Sequence, residues 1–159
     1  MPSSRPIYRF LLAMVLLGLV ALEGCAKLSD MGWGVLTSKV DAFAIVNQQL
    51  LVGSVYLVPD RTGRVVLGPH PESGQVCAGA MHYTGMSSGI VDLHCGEGSD
   101  GQLEFTLVSD SRGYAYGMLG SDRVSLVFGM PAHDAPAYLR PPVGRKFIVN
   151  EAEGRLLMK

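Results

Sequence analysis

An excess of basic residues is missing from this chain. Its 159 residues hold 13 Lys and Arg against 14 Asp and Glu, for a net charge of −1. Nucleic-acid binders cluster Lys and Arg against phosphates, and polybasic segments hold proteins to anionic lipid. Neither footprint is here, so no nucleic-acid partner is expected. Also lacking is an obvious membrane-spanning helix, which needs about 20 apolar residues. The apolar stretch Phe10 to Leu22 is too short and ends at Glu23. Helical periodicity is sparse, and the C-x-x-C spacing of redox catalysts is absent. No internal repeat or second domain is evident, and nothing in the composition indicates disorder.

What the chain does have is a distinctive beginning. Arg5 and Arg9 form a basic region, Phe10 to Leu22 an apolar one, and Leu22-Glu23-Gly24-Cys25 follows directly. That is the anatomy of a secretory signal peptide. The Leu-x-Gly-Cys ending resembles the lipobox of bacterial lipoproteins. The resemblance implies removal of residues 1–24 and acylation of Cys25 with a diacylglycerol and an amide-linked chain such as palmitate. Each buried methylene adds about 0.8 kcal/mol, and stable anchoring takes more than one chain. In Gram-negative lipoproteins the residue after the cysteine influences sorting. Ala26 there implies the outer membrane, with the domain facing the periplasm or the cell surface.

From Gln48 onward, short β-runs alternate with glycine turns. Leu50 to Val58, Arg64 to Leu67, Gln75 to Tyr83, Ile90 to Cys95, Leu103 to Val108, Tyr114 to Leu119 and Val124 to Phe128 read as strands. Phe105 and Leu107 alternate with Glu104 and Thr106, the period of a half-buried strand. About seven such strands predict an all-β fold, a small antiparallel sandwich or barrel. Asp30 to Gln49 shows partial 3.6 spacing, compatible with one short helix or an extended tether. The expected organisation is a tether over 25–47, a β-domain over 48–130 and a Pro-rich tail over 131–159. Lys146 to Val149 is a candidate edge strand in that tail.

Cys77 and Cys95 form an even pair in an exported chain, where disulfides persist. If they face each other in an antiparallel hairpin, Tyr83 faces Gly89 and Thr84 to Ser88 close the turn. Met81, Val91 and Leu93 then share the cysteines' face, which predicts the core side and a structural disulfide. A metal site built from Cys77, His82, His94 and Cys95 fails, because alternation sends both histidines to the other face. The weaker alternative is His82, Asp92 and His94, which share that face and supply zinc or copper ligand types. No cofactor is expected.

Two motif matches fail on context. Gly85-Met86-Ser87-Ser88-Gly89 fits G-x-S-x-G, but the nucleophile elbow needs a strand and then a helix. Gly96 to Gly101 fits G-x-G-x-x-G, yet a strand follows where a phosphate-binding helix is required. Glu97, Asp100 and Asp122 lack calcium-loop spacing. Tyr114 and Tyr116 share one face of a strand, with core or core-edge packing favoured over an exposed recognition patch. They and Arg112 and Arg123 are the weak binding candidates. No catalytic set survives, so the expected function is a non-enzymatic accessory component of a cell-envelope complex, with an envelope protein or peptidoglycan as partner. The alternative is a periplasmic inhibitor or ligand-binding lipoprotein with a cleft on the β-domain.

Overall fold

Alternating sequences become strands here because one face of each can be buried and the other left in water. In the computed structural model, which describes residues 37–69, 72–96 and 98–159, eight strands run in sequence order. They are β1 (Ser38–Val46), β2 (Gln49–Val58), β3 (Thr62–Leu67), β4 (Cys77–Tyr83), β5 (Ser88–Cys95), β6 (Ser99–Ser109), β7 (Arg112–Leu119) and β8 (Asp122–Phe128). Each pairs antiparallel with the next, and β1 pairs with β8, closing an up-and-down barrel. Closure removes every edge from this sheet. The leader, Cys25 and the segment up to residue 36 lie outside the described residues.

An eight-stranded barrel has an interior that side chains just fill. Leu51, Val55, Val65, Leu67, Leu93, Leu103 and Leu126 are fully buried there with Met81, Phe105 and Phe128. The largest of them need room, which glycine supplies. A Cβ on Gly89 would stand 2.4 Å from the Phe105 ring, and one on Gly113 would stand 2.6 Å from the Phe128 ring. Phe105 therefore packs edge-on between Tyr83 and Phe128, with ring centroids 5.0 and 6.5 Å away. Outward rows are mixed: Lys39, Arg64, Asp92, Glu104 and Arg123 stand on the outer face beside Val52, Val66, Ile90 and Met118. A transmembrane barrel is apolar outside, and a Lys or Arg at the bilayer midplane costs about 2–4 kcal/mol. Here charged residues stand in the outer rows and the lumen is apolar.

The cysteine hairpin has the expected register, with Cys77 opposite Cys95 and Tyr83 opposite Gly89. Gly96 N–H bonds Val76 C=O at 3.1 Å and Thr84 N–H bonds Ser88 C=O at 3.0 Å. Alternation therefore makes Cys77–Cys95 a non-hydrogen-bonded pair, the closer of the two kinds. The Cα atoms are 4.1 Å apart and the disulfide is formed, buried inside the barrel.

The all-β fold of about seven antiparallel strands is found as a closed barrel of eight. It begins at Ser38, within the segment expected as a tether over 25–47. The added strand is β1, in the segment read as tether or short helix. Ala42, Ala44 and Val46 face the interior while Phe43 and Ile45 are buried on the outside. A strand buried on both faces loses its alternation and reads as a continuous apolar run. The candidate edge strand Lys146 to Val149 lies outside the barrel sheet. It belongs to β9 (Phe147–Asn150), which pairs with β10 (Arg155–Met158) in a separate hairpin.

Candidate functional site

The C-terminal segment folds back over the outside of the barrel and builds a second core. Phe43, Ile45 and Val127 on the barrel wall meet Met130, Ala135, Leu139 and Leu156 from the tail. Between residues 131 and 142 the chain is irregular apart from a 3₁₀ turn, Ala135–Ala137. Proline favours that course, since it cannot donate to a ladder.

Tyr114 and Tyr116 sit under this strap, not in the barrel core. Strand alternation gives them a common face, and that face is the outer one. Tyr138 stacks on Tyr114 with centroids 5.1 Å apart, and Tyr116 Oη donates to Tyr138 C=O at 2.7 Å. The Arg140 guanidinium lies 3.9 Å from the Tyr116 ring centroid. Arg140 N–H donates to Ser125 Oγ at 3.0 Å, satisfying the one buried polar side chain among the described residues. These contacts fasten the strap. Arg112 and Arg123 do not join them: both are exposed, at opposite ends of the β7–β8 pair. Sequence reasoning found the tyrosines but missed Tyr138. Its only signal was an aromatic in a tail otherwise rich in proline and alanine.

His82, Asp92 and His94 all face outward but do not converge. His82 Nε2 is 3.7 Å from Asp92, whereas His94 Nδ1 turns to Asp100 at 2.7 Å. Asp92 also accepts from Gln102 Nε2 at 2.7 Å. Among the described residues, no three His, Cys, Asp or Glu side chains form a metal-holding group. Ser87 of the G-x-S-x-G match lies exposed in the β4–β5 hairpin loop.

At the barrel rim, burial raises the Tyr83 pKa above its ordinary 10.0, and the nearby Arg61 opposes the rise. The Arg61 guanidinium lies 5.4 Å from the Tyr83 ring centroid and donates to Gly85 C=O. The unfolded chain therefore ionises this phenol first. Its contribution to stability is complete below pH about 10 and is lost as pH rises through the folded value. Urea midpoints measured from pH 9 upward should fall less steeply for Tyr83→Phe than for the wild type; equal slopes would exclude this role.

Two clefts flank the β9–β10 hairpin where it rests on the wall. One, about 460 Å³, runs along β10 between Gly154 and Met158 and faces Leu50 and Val52 of β2. The other, about 410 Å³, lies on the β9 side, between Val149 and Glu151 and the Met130 to His133 segment. Asp41, Phe43 and Gly154 border both. Compared with protein-family models, curated proteins and solved structures, the chain matches none. The fold and site therefore define the class by themselves: a side-chain-filled, disulfide-bearing meander barrel with a strapped outer wall.

Proposed function

We propose that this chain is a lipid-anchored envelope lipoprotein whose barrel acts as a non-enzymatic interaction component of a membrane-associated complex. One observation carries the reading. The barrel lumen is filled with apolar side chains, and the recessed surface lies outside, where the strap and hairpin meet the wall. A pre-formed cleft beside ordered polypeptide suits recognition. The signal peptide and the lipobox-like Leu22-Glu23-Gly24-Cys25 support attachment to the outer membrane, facing the periplasm or the surface. The charged residues in the outer rows support a domain that sits in water beside the bilayer, held by its lipid alone.

A second reading is a periplasmic inhibitor or ligand-binding lipoprotein. The larger cleft favours it, since about 300–1,000 Å³ is usual for small-molecule sites. Pull-down from crosslinked envelopes separates the two. A stable membrane-complex partner is expected; recovery of only a soluble hydrolase or a small ligand would overturn the accessory role. The anchor has its own test. Cys25→Ala should leave the precursor unprocessed and without lipid. Normal processing of that variant, with no acyl mass on the wild type, would remove the anchor from the account.

A further inference from the structure

We infer that the β10 edge is a docking site for an extended, acidic-ended peptide segment, which adds to the hairpin as a third strand. This deepens the interaction-component reading and rests on it. Lys146 and Lys159 exchange both backbone bonds, at 2.7 and 2.9 Å. Antiparallel pairing alternates, so Ile148–Leu157 and Asn150–Arg155 are also hydrogen-bonded pairs. The N–H and C=O of Leu156 and Met158 therefore point away from β9. Five consecutive residues, Gly154 to Met158, line the larger cleft, which places this backbone edge along it. Unpaired strand edges are satisfied best by another strand.

The surroundings specify the strand's chemistry. Side chains opposite Leu156 and Met158 must point the same way as theirs, toward the barrel wall. There they meet Leu50 and Val52, so two apolar residues spaced i and i+2 fit, with a polar one between them. The cleft lining itself is balanced, with Asp41 and Glu72 against Arg145 and Arg155. The hairpin base is cationic on balance, since Arg145, Lys146 and Lys159 are all exposed there. Glu151 and Glu153 lie at the far turn, where Glu153 is 3.6 Å from Arg155. Charge complementarity therefore puts the segment's carboxylates at the base. The same charges argue against a second copy of this chain, because antiparallel β10 pairing centred on Leu157 sets Arg155 opposite Lys159.

The test uses the full chain in detergent micelles and an acetylated, amidated peptide of two aspartates followed by alternating valine and threonine. Saturable NMR shifts should centre on the Leu156 and Met158 amides. Met158→Pro removes an N–H that the hairpin does not use, and should weaken binding about tenfold. Arg145→Glu, at an exposed site, should reverse the preference toward a peptide headed by two lysines. Four results would overturn the assignment: no saturation at millimolar peptide, shifts confined to the β9-side cleft, the same shifts arising from self-association alone, or laurate binding there while the peptide does not. Equal recovery of an envelope partner by wild type and Met158→Pro would also overturn it, while leaving the accessory role intact.

Discussion

Replacing both Cys77 and Cys95 by alanine should lower unfolding stability by about 3 kcal/mol. The bridge closes a loop with a sequence separation of 18, and chain-entropy arguments give that order for such a loop. Both sulfurs lie in the apolar interior, so serine is a harsher replacement than alanine. A buried hydroxyl without a partner adds about 1–3 kcal/mol. The loss should be one of stability alone, with the folded variant keeping its partner. A cysteine pair in an apolar face has no neighbouring cation to stabilise a thiolate. Urea unfolding of the oxidised wild type and of the double variant measures the difference. A shift below about 1 kcal/mol, or two free thiols in the native protein, contradicts a structural bridge.

Phe105→Ala should cost about 3–5 kcal/mol, the range for deleting a large buried aromatic. The ring is 1% exposed and fills the lumen between Tyr83 and Phe128. The wall cannot collapse easily into the space, because closure ties every strand to two neighbours. The matching substitution at Gly89 tests the same packing from the other side. Its Cβ would meet the Phe105 ring and also His82 C=O, at 2.1 Å. Shrinking Phe105 therefore relieves one clash and leaves the backbone clash. Gly89→Ala should remain destabilising even in a Phe105→Leu background. Full rescue there would show that the backbone contact is unimportant.

The hairpin at the centre of the barrel was legible because two local signals agreed. Alternation of Met81, Val91 and Leu93 marked the inner face, and the cysteine positions fixed the register. Strand β6 was legible for the first of those reasons, and β7 and β8 as short apolar runs between turn residues. β1 was not, since Phe43 and Ile45 are covered by a strap more than eighty positions away, and local pattern does not encode that contact. Core or core-edge packing is the sequence expectation for Tyr114 and Tyr116, and the core that they meet is the outer one beneath the strap. Alternation gives a shared face but not which side of the wall it is on. The clefts were illegible for the same reason: they exist only where β9 and β10 land on β1 and β2. The His82–Asp92 and His94–Asp100 pairs required cross-strand register at side-chain precision, which spacing within one strand does not provide.

Intact-mass spectrometry of the protein purified from envelopes tests the central claim most directly, because lipid attachment, cleavage point and disulfide appear in one spectrum. The account predicts a chain beginning at Cys25, carrying a diacylglycerol and an amide-linked acyl group, and two hydrogens lighter for the Cys77–Cys95 bond. An unacylated chain cut at another position would contradict it.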